Sequence, residues 1–290
     1  MLVSSSAFAG AWTQPQFHFY LQLGTAFTDA SQAYDFNGKL IPVQVRPVPN
    51  SDFPVRSNFQ QLLSDLYFEY GVFNRVTVFA DLPITSMRQH NPGGTINYSV
   101  TGVADIQVGL RAGLLVDPVA IALEARMTAP AGDPNAVIPT GSGDFRGELR
   151  LAVAKAFERV PIYVDFEFGF TLRGSTLFKN PDPSLPSMVT NYAPEIAVHG
   201  EVGGVLVRWK NVDRLMLTLM TDYRGSTSRE SGASGLFNLI PNNSELTTVG
   251  INLAWRFYRW FGIMGRFTQA VQGKRLPQIT TGGAALFVSY

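Results

Sequence analysis

Ile162-Tyr-Val-Asp-Phe-Glu-Phe-Gly-Phe-Thr-Leu-Arg173 is the stretch of sequence that decides the fold. Apolar side chains occupy every even position, whereas the odd positions carry Tyr163, Asp165, Glu167, Gly169, Thr171 and Arg173. Successive side chains of a β-strand point to opposite faces, so a strand separates these two sets and a helix would mix them. The stretch therefore predicts a strand with one apolar face and one charged face.

The same alternation recurs along the chain, for example in residues 76–84, 103–115, 145–153 and 247–257. The links between such segments alternate in length. Short links lie near residues 71–75, 117–118, 158–161, 210–214 and 258–260, and long polar links span residues 28–57, 87–102, 130–143, 174–193, 225–243 and 272–277. Short turns at one end and long loops at the other are typical of outer-membrane barrels. We therefore predict an all-β fold, a transmembrane antiparallel up-and-down β-barrel of about 12 strands.

Composition excludes several other classes of protein. Among 290 residues only 16% are charged, the formal net charge is +1 and cysteine is absent. A near-zero net charge without a basic stripe gives no reason to expect a nucleic-acid partner. The lack of cysteine excludes disulfides, thiolate metal sites and cysteine catalysis. No apolar run is long enough for a transmembrane helix.

The first nine residues, Met1-Leu-Val-Ser-Ser-Ser-Ala-Phe-Ala9, resemble the last part of a secretory signal peptide. They end in the small-x-small pattern Ala7-Phe8-Ala9, which is typical of a cleavage site. We predict a residual signal peptide over residues 1–9, with a start set too late, and an outer-membrane β-barrel over residues 10–290. The first strand is expected near Gln16, which leaves no N-terminal plug.

Two features favour a lipid-facing apolar surface over a soluble two-layer sandwich, in which the apolar faces would pack together. Aromatic side chains crowd the short turns, as in Phe257-Tyr-Arg-Trp-Phe261, and such girdles border membrane barrels. Arginines and carboxylates alternate within the strands, whereas lysines lie at strand ends or in links. Facing these charges outward would cost roughly 2–4 kcal/mol per Arg or Lys near the membrane midplane.

The charged side chains are therefore predicted to face the lumen and to neutralise one another. The predicted lumen-lining residues are Asp65, Glu69, Asp105, Arg111, Glu124, Arg126, Arg146, Glu148, Arg150, Asp165, Glu167, Arg173, His199, Glu201, Asp222, Arg224, Arg256 and Arg266.

The chain ends in an alternating segment that closes on an aromatic residue, Tyr290. Such an end resembles the signal that the barrel-assembly machinery binds. We therefore expect two partners besides a small-molecule solute: outer-membrane lipid, and the assembly machinery through Tyr290.

Several segments carry a family resemblance. They are Glu69-Tyr-Gly-Val-Phe-Asn-Arg-Val-Thr77 with Leu82-Pro83, Gly102-Val-Ala-Asp-Ile106, and Pro130-Ala-Gly132 with Gly141-Ser-Gly-Asp144. Together they are similar to the outer-membrane transporters of the "MetA-pathway of phenol degradation" family, although Ala131 replaces the usual Thr. The resemblance implies a barrel and passage of aromatic or other apolar compounds.

Catalytic and metal motifs are weak. The three histidines, His18, His90 and His199, have no neighbours at zinc-ligand spacing. His199 and Glu201 share a face, and a structural contact is the simpler interpretation of that pair. An outer-membrane phospholipase would need a Ser–His arrangement that the sequence does not offer. We predict no enzymatic activity and no cofactor.

Two long links contain apolar residues, Leu40 and Ile41 in the first, and Leu236, Phe237, Leu239 and Ile240 in the second. Either they fold over the mouth and form an apolar access site, or the strands extend beyond the membrane and pack there. The leading functional hypothesis is a channel or transporter in the bacterial outer membrane for small compounds, with apolar or aromatic molecules as candidates. The alternative is a non-conducting structural or adhesive barrel whose long loops bind partners.

Overall fold

The alternating segments form long strands in the computed structural model, which describes residues 10–35, 37–45, 55–91, 93–94, 97–136, 138–157, 160–178, 187–209, 212–227 and 244–290. The barrel strands are β1 (Phe19–Ala30), β2 (Asn58–Phe73), β3 (Val76–His90), β4 (Ile106–Leu115), β5 (Ala120–Ala129), β6 (Arg146–Ala156), β7 (Ile162–Arg173), β8 (Glu195–Trp209), β9 (Val212–Ser226), β10 (Glu245–Arg256), β11 (Phe261–Lys274) and β12 (Thr280–Ser289).

Each of these strands pairs antiparallel with its neighbours in sequence, and β1 pairs with β12 to close the barrel. The closing register runs from Tyr20 opposite Ser289 to Asp29 opposite Thr280. Closure pairs the backbone groups that an open sheet would leave free at its edges. The prediction of a closed barrel of 12 antiparallel strands is confirmed.

The two faces of the wall differ as the alternation predicts. On β6, Leu149 is 58% exposed on the outer face whereas its neighbour Glu148 is 7% exposed. An apolar outer face that is continuous around a barrel is stable only against lipid. Among the described residues no helix is long and apolar enough to cross a membrane.

Aromatic side chains cover the outer surface at the short-turn end of the barrel. Phe73, Trp209, Tyr258 and Trp260 are all more than half exposed and follow or precede short turns. Amphipathic rings are stable at a headgroup interface. Tyr290 lies at the same end, where its backbone exchanges hydrogen bonds of 3.0 and 2.9 Å with Phe19. Its recognition by the assembly machinery stays a prediction.

The long links contain short strands of their own: Gln32–Tyr34 with Leu40–Pro42, Gln44–Val45 with Val55–Arg56, Ser175–Phe178 with Met188–Asn191, and Asn97–Val103, which pairs with the upper part of β3. Several strands therefore continue past the segments that the sequence predicted. Leu40 and Ile41 belong to the hairpin with Gln32–Tyr34, where they are 38% and 37% exposed. The apolar residues 236–240 lie outside the described residues.

The expectation that no N-terminal plug exists is wrong. Strand β1 begins at Phe19, and the N-terminal segment, defined here as residues 10–16, lies inside the barrel at the short-turn end. Ala11 is 2% exposed and packs against the inward-facing Ala152 and Ala154 of β6. The segment reverses into β1 at Phe17, whose φ of 63° is unusual for a residue with a side chain. Its few polar residues gave no periodic signal from which this path could be inferred.

Candidate functional site

The inward-facing charged side chains of β2 and β4–β9, here called the charged arc, form ion pairs along the wall. Arg111 contacts Glu69 of β2 at 3.2 Å and Glu124 at 3.0 Å, and all three side chains are almost fully buried. Arg126 contacts the second oxygen of Glu124 at 2.5 Å. These contacts follow from register, because Glu124 lies opposite Arg111 on β4. Buried charges paired in this way avoid most of the desolvation penalty of an isolated ion.

A second group of the charged arc centres on Arg150 of β6. Its guanidinium contacts Glu148 at 2.5 Å and Glu167 of β7 at 2.8 Å. Arg224 of β9 approaches Glu148 at 3.9 Å and Glu195 at 3.8 Å. Arginine suits this role because its planar guanidinium donates several hydrogen bonds in fixed directions.

The link between β5 and β6, here called the inward loop and comprising the described residues 130–136 and 138–145, enters the barrel from the long-loop end. Asp144 is fully buried and contacts Arg173 at 2.8 Å and Arg146 at 3.3 Å. Arg173 also contacts Glu195 at 2.7 Å and stacks over the ring of Tyr192 at 3.9 Å. The loop therefore narrows the lumen at its outer end.

A second attachment of the inward loop involves Ser142, whose backbone N–H and hydroxyl both donate to Asp105, at 2.9 and 2.6 Å. Arg146 lies 3.8 Å from the same carboxylate. Ile138 is 1% exposed, so the loop also buries an apolar side chain.

The titration of Asp144 reflects its surroundings. Burial raises the pKa of this carboxyl, but the hydrogen bonds from Arg173 and the charge of Arg146 outweigh burial and hold the pKa below its usual range. Asp144 is therefore ionised at neutral pH, as its two arginine partners require.

His199 lies between two carboxylates. Its Nδ1 is 2.7 Å from Asp222 of β9, and its Nε2 is 3.5 Å from Glu201 of the same strand. The sequence predicted the contact with Glu201 but not the shorter one with Asp222. Among the described residues, no group of three or more His, Cys, Asp or Glu side chains is arranged to hold a metal ion.

Four predicted lumen residues form no ion pair within the described part of the chain: Asp65, Asp165, Arg256 and Arg266. Arg256 lies over the ring of Phe287 at 5.7 Å, and Arg266 donates to the sulfur of Met220 at 3.3 Å. Asp165 accepts the backbone N–H of Ala11 at 3.2 Å.

The wall opposite the charged arc is lined by short, uncharged side chains. This small-residue arc comprises Gly24, Ala26 and Thr28 of β1 and Ala285, Gly283 and Thr281 of β12, which are direct cross-strand partners. The two threonine hydroxyls hydrogen-bond to each other at 2.8 Å. Gly24 lies against the carboxylate of Asp65, whose Oδ1 would be 2.6 Å from an added Cβ. The other five residues place only short, uncharged side chains on the side of the lumen away from the arginines of the charged arc.

An aromatic cluster adjoins the small-residue arc at the short-turn end. Tyr20 and Phe287 stack with their ring centroids 6.0 Å apart, and Met216 and Ala254 pack against them. Each of these four side chains is at least nine-tenths buried. The barrel interior therefore contains a packed apolar cluster as well as the charged arc.

The N-terminal segment is held by side chains of β2, β3 and β4. The carbonyl of Trp12 accepts from Arg111 at 3.1 Å, and the side chain of Gln14 donates to Glu69 at 2.7 Å. The backbone N–H of Gln14 donates to Thr77 at 2.7 Å. Gly71 permits this path, because a Cβ there would overlap the carbonyl oxygen of Pro15.

The sequence missed three residues that complete these contacts: Gln14, Asp144 and Glu195. Two of them carried a usable signal. Asp144 is two residues before Arg146, and Glu195 continues the inward face of His199 and Glu201, so the period of two extends to both. Gln14 lies outside any alternating segment and carried none.

No family model matches the chain, and no curated protein sequence matches it. Several solved structures, however, are similar to the chain in fold. The COG4313 outer membrane channel from Pseudomonas putida F1 superposes with a TM-score of 0.73 at 10% identity, covering 97% of this chain and 98% of that chain. The translocator domain of autotransporter NalP from Neisseria meningitidis gives 0.51 at 7% identity, covering 96% and 90%. The β domain of the Bordetella autotransporter BrkA gives 0.51 at 10% identity, covering 93% and 99%.

Fold, lipid-facing belt and structural similarity define one class: the protein is a β-barrel of the bacterial outer membrane. The barrel fold that the family resemblance implied is confirmed.

Proposed function

We propose that the protein is a channel for small molecules, and that solutes with an apolar or aromatic body pass along the small-residue arc. The observation that carries the proposal is the division of the interior. Ion-paired arginines occupy the charged arc, whereas Ala26, Gly283 and Ala285 present only short, uncharged side chains along the seam of β1 and β12. An apolar solute on this path would not have to displace the ion pairs.

The aromatic cluster supports the same solute class. Tyr20 and Phe287 stack at the short-turn end of the path, next to the flexible side chain of Met216. Each ring is only 1% exposed, so a solute would reach them only by displacing a neighbouring side chain. Aromatic and thioether groups bind apolar and aromatic molecules without demanding one geometry. The charged arc would orient polar substituents on the opposite side. The similar channel from Pseudomonas putida F1 has the same fold, which is compatible with conduction.

A cysteine experiment tests the path directly, because the natural chain contains no cysteine. In Ala26→Cys the thiol would face the lumen on β1, whereas in Gly282→Cys it would point to the outer face of β12, where no atom lies within 4 Å of the added Cβ. After folding, each variant is reacted with a bulky, water-soluble thiol reagent. We expect the reagent to reduce single-channel conductance in planar bilayers for Ala26→Cys and to leave Gly282→Cys unchanged.

Uptake of a small aromatic compound into liposomes containing the protein identifies the solute class, with a sugar of similar size as the comparison. Conductance that is absent in the unmodified protein would favour the alternative, a non-conducting surface barrel. Conductance that is blocked equally at both cysteines would place the path elsewhere.

The predicted lumen lining is tested at the charged arc. Arg150→Ala removes the partner of Glu148 and Glu167, so the charge that faces the lumen becomes more negative. We expect increased cation selectivity in reversal-potential measurements. Unchanged selectivity would argue against a path that Arg150 borders.

A further inference from the structure

We propose that cleavage after Ala9 makes Gly10 the first residue of the mature protein, and that its α-ammonium group forms an ion pair with Asp165 and Glu167 inside the barrel. The N-terminus would then be the cation that this part of the charged arc requires. The proposal does not depend on what passes through the lumen.

Position is the first argument. The backbone N–H of Ala11 donates to Asp165 Oδ2 at 3.2 Å, which brings the start of the N-terminal segment next to that carboxylate. Gly10 lies so close to Glu167 that a Cβ on it would overlap the carboxylate oxygen Oε1. The nitrogen of Gly10 is one residue from the nitrogen that already binds Asp165.

Charge is the second argument. Asp165 is 3% exposed, and its Oδ1 has no hydrogen-bond partner among the residues that the structure describes. The neighbouring carboxylates, in contrast, have basic partners. Glu167 contacts Arg150 at 2.8 Å. Glu201, which lies opposite Asp165 on β8, is 3.5 Å from Nε2 of His199. Within the same described residues no cationic side chain lies within 4 Å of the carboxylate of Asp165. A buried carboxylate left in this state is costly, and a nearby ammonium removes the cost.

Sequence is the third argument. Ala7-Phe8-Ala9 has the small-x-small pattern of a signal-peptide cleavage site. An uncleaved peptide nitrogen at Gly10 carries one hydrogen and no charge, whereas a free terminal amine is an ammonium group with three donors near neutral pH. Cleavage at that bond would convert a neutral donor into the missing cation.

The first measurement is the intact mass of the protein purified from outer membranes after expression with a complete secretory leader placed ahead of Ala7-Phe8-Ala9. We expect a mature chain that begins at Gly10. A first residue at any other position overturns the proposal.

The second measurement is the rate at which an amine-reactive ester labels the α-amine of the folded protein near pH 7. An ammonium held by carboxylates is not nucleophilic, so labelling should be at least about tenfold slower than in Asp165→Asn. The matched control is Asp81→Asn, which also changes an inward-facing carboxylate with an unpartnered oxygen but lies on β3. It should label like the unchanged protein.

A second variant tests the ion pair even if Asp165→Asn misfolds, because it leaves Asp165 in place. Inserting Gly-Ser between Ala9 and Gly10 moves the ammonium about 7 Å along the chain while residues 10–16 stay the same. The insertion should raise the labelling rate by a similar factor. Equal rates in the unchanged protein and in both variants would overturn the ion pair.

Discussion

The N-terminal segment and the inward loop occupy opposite ends of the same lumen and are held there by different chemistry. The loop is fixed by side chains, above all by Asp144, which is fully buried between Arg146 and Arg173. The segment is fixed mainly through its backbone, from the N–H of Ala11 to the carbonyl of Trp12, with Gln14 as the main side-chain contact.

This difference determines how each region should respond to change. A buried ion pair depends on charge, so the inward loop should be sensitive to neutralising substitutions and to acid. Backbone hydrogen bonds do not depend on side-chain identity, so the segment should be sensitive mainly to the space around it. The comparison would fail if neutralising substitutions did not affect the inward loop, or if added bulk did not affect the N-terminal segment.

The largest effect is expected for Asp144→Ala. Removing this carboxylate leaves Arg146 and Arg173 with fewer buried counter-charges, so the free energy of unfolding should fall by about 3–5 kcal/mol. Urea unfolding in detergent micelles measures the loss. Asp133→Ala, at an exposed position of the same loop, is the control and should cost below about 1 kcal/mol. Equal losses at both positions would mean that the arginine contacts do not hold the loop.

Gly71→Ala should have the next largest effect, because the added Cβ would overlap the carbonyl oxygen of Pro15. We expect the free energy of unfolding to fall by about 1–3 kcal/mol, and the conductance in planar bilayers to rise as the segment is displaced. Gly147→Ala is the matched control, since its Cβ would have no atom within 4 Å. If the two alanines behave alike, the segment does not lie against β2 as described.

Gln14→Ala should cost about 1.5 kcal/mol, the usual contribution of a hydrogen bond to a charged group, here the 2.7 Å contact with Glu69. Glu69 keeps its contact with Arg111, which limits the loss. Gln16→Ala should be nearly neutral, because only the backbone nitrogen of Gln16 contacts Asn74. Thermal unfolding of both variants separates side-chain from backbone attachment; a larger loss at Gln16 would contradict this assignment.

The smallest effect is a dependence on pH. The pKa of Asp144 is lower in the folded protein than in the unfolded chain, so its ionised form adds stability above the ordinary Asp pKa of about 3.9. That contribution should decrease as the pH falls through the folded-state pKa. Unfolding measured from pH 5 to pH 2 should show a shallower decline in Asp144→Asn. A decline of the same steepness would show that other groups dominate the acid response.

Much of the barrel could be predicted because period-two alternation is a local signal. Residues 162–173 alone fix which side chains of β7 face inward, and lipid makes that assignment costly to reverse. The ion pair of Arg111 with Glu124 follows once neighbouring strands are aligned.

The contents of the lumen could not be predicted in the same way. The N-terminal segment and the inward loop have no periodic pattern, and their positions depend on a cavity that exists only after the barrel closes. The contact of Asp105 with Ser142 joins residues from separate links in sequence, so no local rule could identify it. The predicted absence of a plug failed for this reason.

The pairing of β1 with β12 has a consequence for the order of folding. The seam needs the last strand, so the wall cannot become continuous until the whole chain is available. The N-terminal segment is joined directly to β1 and lies at the short-turn end, so it can still enter the lumen through that end after the seam has formed. Completion of the wall therefore fixes the point from which the segment enters, because β1 is held on that side by the strand that is made last.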